Sequence, residues 1–156
     1  MIAEKIEVQM IEVRSLASHD RDAWDRLYAG YAEFYKVSQT AEMREVLWGW
    51  LHDPSMPSEG LVAMLDGEVV GLAHFRAMPS PLRGQMIGFL DDLFIFPEHR
   101  GSGVAQALFD ALAEICRQRQ WPVMRWITRD DNYRARAVYD RLAEKTNWLT
   151  YELYPE

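Results

Sequence analysis

Residues 90–106, LDDLFIFPEHRGSGVAQ, put a strand, a breaker, a glycine-bearing turn and a helix start in direct succession. The aromatic and branched residues of LDDLFIF favour a pleated backbone. Pro97 ends that strand, because it has no N–H to give to a ladder. Arg100-Gly101-Ser102-Gly103 follows, and from Val104 the chain takes helical periodicity. The first N–H groups of a helix have no internal partner, and the helix dipole favours negative charge there. The turn therefore suits a phosphorylated ligand, and the strand before it is the place for chemistry.

The remaining composition narrows the setting. The 156 residues suit one domain, 1–156, with room for a substantial core. No apolar run reaches the ~18 residues of a membrane span. MIAEKIEVQM carries acidic residues early and lacks the apolar core of a signal peptide. One cysteine, Cys116, excludes an internal disulfide and fits a reducing cytoplasm. A net charge of −7 argues against a nucleic-acid partner and is compatible with a cationic substrate. His19, His52, His74 and His99 are scattered without metal-ligand spacing, so no metal is expected.

Along the chain, IEVQMIEV (6–13) reads as a strand. Ser18 or Asp20 can cap a helix to about Lys36, with Ala23, Trp24, Leu27, Tyr28, Tyr31, Phe34 and Tyr35 on one face. Thr40 can cap a short second helix. Asp66-Gly67, between two apolar runs, predicts a hairpin. A long strand, 85–96, contains Gly88, which suggests a bend or bulge. A helix over 102–118 with a stripe at Val104, Leu108, Ala111, Leu112 and Ile115 comes next, then a strand over 121–128. Asp130 or Asp131 can cap a helix to about Glu144, and alternation over 147–154 predicts a last strand. The order is β-α-α-β-β-β-α-β-α-β, an α/β arrangement with a mixed sheet flanked by helices.

The turn lacks the lysine of a Walker loop, since Val104-Ala105 follows the second glycine, and it lacks the third glycine of a dinucleotide site. What fits is Arg100-x-x-Gly103-x-Ala105 directly after a strand. This resembles the R/Q-x-x-G-x-G/A motif of the GCN5-related N-acetyltransferase (GNAT) superfamily. NYRARAVY, with Asn132, Ala135 and Tyr139, resembles that family's second acetyl-CoA segment, and the element order matches over roughly 5–154. Leu90-Asp91-Asp92 before Phe94 and Tyr139-Asp140-Arg141 are similar to the diamine and polyamine acetyltransferase branch, and the ending WLTYELY resembles a polyamine- and histone-acetylating group of the same superfamily.

The resemblance implies a mixed, mostly antiparallel central sheet, acetyl-CoA as cosubstrate, and direct attack by an amine on the thioester in a ternary complex. Leu93, Phe94 and Ile95 match the backbone track for pantetheine. Gly101, Ser102, Gly103, Val104 and Ala105 match the pyrophosphate cradle, with Arg100 beside it. Tyr139 is the candidate general acid for the leaving sulfur, set against an ordinary core tyrosine. Asp91 and Asp92, expected on opposite faces because side chains alternate along a strand, are candidates for binding an ammonium and taking its proton. Asp92 is preferred as base and Asp91 as substrate contact; the alternative is a surface pair. Tyr31, Glu33 and Tyr35 can wall a cationic substrate, or Tyr31 and Tyr35 simply pack into the core. Cys116, four residues after Leu112, suits a buried position more than an acyl-carrying thiol.

The favoured function is acetylation of a small primary amine. The alternatives are acetylation of a protein N-terminus or lysine, and a non-catalytic acyl-CoA sensor. The chain stops soon after the last expected strand, short of the family's usual pair. A second subunit is therefore expected at the sheet edge, making a homodimer.

Overall fold

A computed structural model describes residues 9–156. The strand expected over 6–13 is β1, Ile11–Ser15; its residues 6–8 lie outside the described residues. Then come α1 (Arg21–Phe34), α2 (Ala41–Leu51), β2 (Ser58–Leu65), β3 (Glu68–Ser80), β4 (Gln85–Ile95), α3 (Val104–Arg119), β5 (Met124–Arg125) and α4 (Tyr133–Leu142). The strands form one sheet in the order β1-β2-β3-β4-β5. Every pairing is antiparallel except β4 with β5, which is parallel.

Local chemistry explains most boundaries. The Thr40 hydroxyl accepts the Met43 N–H at 3.2 Å and starts α2. Asp66 and Gly67, with φ of 50° and 83°, make the β2–β3 turn, as a turn needing two positive φ values requires. The chain leaves α3 through Gln120 in a left-handed conformation, φ 58°.

The sheet is covered on both faces. On one, α3 sets Val104, Leu108 and Leu112 against Leu61, Ala73, Phe75 and Leu90. On the other, α1 sets Trp24 and Leu27 against Leu72 and Phe94. Full burial of each such large side chain is worth roughly 1.5–3 kcal/mol. Alternate residues of β3 serve opposite faces, so Leu72 and His74 look toward α1 while Ala73 and Phe75 look toward α3.

By contact the chain divides into Met1–Trp126, which holds the sheet and α1–α3, and Ile127–Glu156, which holds α4. Among the described residues, no helix is long and apolar enough to cross a membrane.

Three expectations change. Residues 147–154 form no strand: the element order ends at α4. Alternation there is real, but a strand exists only with a ladder partner, and none is present among the described residues. The strand expected over 121–128 shrinks to Met124–Arg125, because β5 pairs with β4 only at Gly88 and Phe89. Gly88 is not the bulge. Its missing Cβ makes room for β5 and the preceding loop: a Cβ there would lie 2.7 Å from Met124 Cε and 2.8 Å from Trp121 Cε3.

The turn after β1 is held by a buried carboxylate. Asp20, 3% exposed, accepts Arg14 Nη1 at 2.7 Å, Arg14 Nη2 at 2.9 Å and the Ala17 N–H at 2.8 Å. The Arg14 guanidinium holds this carboxyl below its ordinary range. Asp20→Asn is expected to cost about 3 kcal/mol at neutral pH, since it leaves Arg14 without its counter-charge. A depressed native pKa contributes stability that is complete above the unfolded value, about 3.9, and is lost as pH falls through the native value. Urea unfolding of wild type and Asp20→Asn should therefore differ at pH 7 and converge in acid.

Candidate active site

After β4 the chain makes a 3-10 turn, Pro97–His99, and reaches the glycine turn. Gly101 and Gly103 have φ of 78° and 92°, values that disfavour a side chain with Cβ. The Ser102 hydroxyl donates to the His99 carbonyl and closes the turn. No side chain caps α3 at Gly103. The leading N–H groups of Val104 and Ala105 thus belong to the set that a helix leaves for an anion. The Arg100 guanidinium carbon sits 4.4 Å from the Phe34 ring centroid, a cation–π contact that ties it to the end of α1.

β4 carries the rest of the site. Its parallel ladder with β5 holds only Gly88 to Met124 and Phe89 to Arg125. Beyond Phe89 that edge of β4, with Leu93, Phe94 and Ile95, has no strand partner among the described residues. A strand edge without a partner offers N–H and C=O groups to an extended amide chain. On its other edge β4 stays bonded to β3, with Leu93 opposite Ala73 and Ile95 opposite Gly71.

The bulge falls at Asp91. His74 pairs with Asp92 and Phe75 with Leu90, which leaves Asp91 as the extra residue. This corrects the expectation that the two aspartates face opposite ways. Arg76 Nε donates to Asp91 Oδ2 at 2.9 Å, and His74 Nδ1 lies 2.9 Å from Asp92 Oδ2. His74 and Arg76 are two residues apart on β3, so both aspartates engage one face of that strand. Their settings differ. Asp91 is exposed and paired with an arginine, whereas the Asp92 side chain is 16% exposed.

The hydrogen-bond partners of Asp92 stand on α1 and β3. The Tyr28 hydroxyl donates to Asp92 Oδ2 at 3.0 Å. His74 meets the same oxygen, and its far nitrogen, Nε2, accepts the Trp24 indole N–H at 2.8 Å. Tyr28 and Tyr31 stack with ring centroids 5.6 Å apart. Burial, then the negative charge of Asp92, pushes both phenols well above their ordinary pKa. They remain neutral donors through any working pH, suited to binding and not to proton abstraction. Gln39 Oε1 is buried without a hydrogen-bond partner, and its side chain adjoins Tyr28. A buried acceptor of this kind is matched to a ligand that brings N–H groups.

The other candidates lie as follows. Tyr35 is half-buried and packs against Tyr31 at 4.7 Å, while Glu33 is exposed. Cys116 is half-buried, and desolvation raises its thiol pKa, which disfavours a nucleophilic thiolate. In 127–156, Asn132 precedes α4 and its Nδ2 donates to Thr128 Oγ1 at 3.3 Å. Ala135 and Tyr139 are half-buried on α4. Among the described residues, no group of three or more His, Cys, Asp or Glu is placed to hold a metal.

Trp24, Tyr28, Gln39 and His74 escaped the sequence reading as site residues. Trp24 and Tyr28 were visible only as one face of an amphipathic helix. His74 meets Asp92 and Trp24 across separations of 18 and 50 residues, and no local pattern reports such pairs.

Comparison with known proteins bears on the fold and the family. The chain is 24% identical over 151 residues to the D-amino-acid N-acetyltransferase HPA3 of Saccharomyces cerevisiae, covering 96% of this chain and 94% of that protein. It is 30% identical over 99 residues to the thialysine N-epsilon-acetyltransferase of Caenorhabditis elegans, covering 60% of this chain and 61% of that protein. Among solved structures, a ribosomal-protein-alanine N-acetyltransferase from Brucella melitensis biovar Abortus 2308 superposes with a TM-score of 0.78 at 26% identity, covering 93% of this chain and 99% of that one. Residues 24–143 match the acetyltransferase (GNAT) family as a whole. A strand, an uncapped glycine turn and a helix in this order, with that match across most of its length, make the chain a member of the acetyltransferase (GNAT) family and an acyltransferase enzyme.

Proposed function

We propose that this protein transfers an acetyl group from acetyl-CoA to the primary amine of a small cationic molecule, di- or polyamine-like, by direct attack in a ternary complex. The observation that carries the reading is Asp92. It is a largely buried carboxylate beside two tyrosine rings, and among the described residues neither arginine nor lysine is one of its hydrogen-bond partners. Asp91, by contrast, is already paired with Arg76. An ammonium group supplies the charge that Asp92 is missing and the N–H groups that Gln39 Oε1 can accept. The two relatives act, by name, on D-amino acids and on thialysine, which are small compounds bearing amines.

The residues fit acetyl-CoA. The uncapped start of α3 and the left-handed Gly103 suit its pyrophosphate, and the open edge of β4 at Leu93, Phe94 and Ile95 suits its amide-bearing arm. Acetyl-CoA supplies the activated acetyl group. Amines with a pKa near that of lysine, about 10.4, arrive mostly protonated. Asp92 binds the ammonium and takes a proton, directly or through water, so that the nitrogen attacks the acetyl carbon with a free electron pair. A C–N bond forms, the C–S bond breaks, the nitrogen sheds its second proton to water, and the sulfur leaves with a proton for which the motif resemblance assigns Tyr139 as donor. By the motif resemblance Asn132 and Ala135 are assigned to the cofactor, while on α1 Tyr31 and Tyr35 are assigned to the amine, with Glu33 exposed beside them.

Peptide N-termini are the second reading, favoured by the likeness to the Brucella enzyme. Turnover with diamines, free amino acids and short peptides, followed by release of free thiol, separates the readings. Diamines are expected to give the highest kcat/KM, and peptides ahead of diamines would favour the second. No turnover on any of them, with acetyl-CoA still bound, would mark the protein as a sensor.

Asp92→Asn and Tyr139→Phe are each expected to lower kcat at least ~100-fold while leaving the KM for acetyl-CoA within about twofold. Gly103→Val forces a β-branched residue to φ 92°, and should raise the KM for acetyl-CoA at least ~10-fold in a folded protein. A homodimer belongs to this reading. Trp148, Leu149, Tyr151 and Leu153 are exposed on a segment whose alternation suits a strand but which has no ladder partner among the described residues. Light scattering should give twice the monomer mass, and truncation after Lys145 should reduce it to one.

A further inference from the structure

We infer that His74 is a positioning residue for Asp92, locked by Trp24 in the one tautomer that aims the carboxylate without neutralising it. The inference rests on the reading of Asp92 as the amine-binding carboxylate, and it extends that reading to two residues with no contact to the reacting atoms.

The argument begins with the indole. Its Nε1–H is a donor and nothing else. It points at His74 Nε2 from 2.8 Å, so that nitrogen must offer a lone pair. The proton of the ring then sits on Nδ1, 2.9 Å from Asp92 Oδ2, and donates to it. An imidazolium would put N–H against N–H at Trp24. The contact between His74 and Asp92 is thus a hydrogen bond from a neutral ring to a carboxylate, and not an ion pair.

That distinction matters to a cationic substrate. A lysine, an arginine or a charged histidine at this position would hold Asp92 equally well, but it would cancel the charge that attracts the ammonium. Tyr28, the other hydrogen-bonded partner on Oδ2, is also a neutral donor. Arg21, 5.8 Å from the Trp24 indole centroid, is paired with Glu45. Near the bulge, Arg76 is committed to Asp91.

The chain of contacts is rigid. Trp24 is fully buried, and His74 is 3% exposed. Trp48 packs on Trp24 at 5.0 Å, and Tyr28 meets the His74 ring edge-on at 4.8 Å. The bulge places its extra residue beside the His74–Asp92 pair. A bulge frees a side chain from strict alternation, so something must fix where Asp92 points. His74 supplies that constraint from β3, and Trp24 fixes His74 from α1.

A histidine that merely fills the core predicts different behaviour, and steady-state kinetics with an amine and acetyl-CoA tells the two apart. His74→Phe keeps the ring and removes the donor. It should lower kcat/KM for the amine ~30-fold or more while the KM for acetyl-CoA stays within about twofold. His74→Asn keeps a donor near the Nδ1 position and should retain at least ten times the activity of His74→Phe. In an Asp92→Asn background, His74→Phe should cost nothing further, because both changes act through one carboxylate. A His74→Phe protein as active as wild type, or a loss that adds fully to that of Asp92→Asn, overturns the inference.

The wild-type protein gives an independent reading if a variant does not fold. Nitrogen-15 spectra of the His74 ring, at the pH of the assays, should show the Nδ1-protonated neutral tautomer. The Nε2-protonated tautomer or an imidazolium overturns the inference. Failure of the underlying reading looks different: Asp92→Asn would then turn over amines at the wild-type rate.

Discussion

The hydrogen bond between His74 and Asp92 lies where the sheet departs from regularity, and the site is arranged around it. At that point β4 carries one residue more than β3, so Asp91 and Asp92 both engage the face of β3 that looks toward α1. A strict alternation would have sent one of them toward α3, into a face packed with Leu61, Phe75 and Leu108. An ionised carboxylate there, without partners, would carry a large desolvation penalty. The bulge instead gives each aspartate a polar neighbour, and the neighbours assign them different work. Arg76 satisfies Asp91 near the surface, and neutral donors hold Asp92 deeper in.

The two edges of β4 are treated differently. Toward β3 the strand is laddered along its length except at the Asp91 bulge. Toward β5 it is paired at only two positions, and Gly88 lets β5 come close just there. Past that point the free edge runs to the glycine turn and the start of α3. An extended amide chain and an anion can therefore be held by backbone groups alone, while the side chains of β4 remain available to the core and to the amine. α1 works in the same double way. Trp24 and Leu27 anchor the helix in the core, and Tyr28 and Tyr31, one turn further along, present phenols to Asp92.

Much of this was legible in order along the chain. Pro97, the two glycines and the start of helical periodicity at Val104 are local signals, and each sits where it was read. Asp66-Gly67 made its turn, and Thr40 capped its helix. Local pattern misled where it stood in for a partner. The alternation at 147–154 is a property of the side chains, but a strand is a property of two backbones. Gly88 looked like a bulge because glycine often marks one; its actual task is to clear space for Trp121 and Met124.

By itself, the sequence determined the order of elements through α4 and the anion-suited turn, because breakers, caps and periodicity act over a few residues, and two short motifs carried the resemblance to the family. It also singled out the aspartate pair as chemically unusual on a buried strand. Only the tertiary structure decided which aspartate is neutralised and which is not. That difference depends on Trp24, Tyr28, His74 and Arg76, which stand on α1 and β3 and reach β4 only once the sheet has formed. Hydrogen bonds need partners within about 3 Å, and spacing along a chain does not report distances across a sheet whose register has been shifted by one residue.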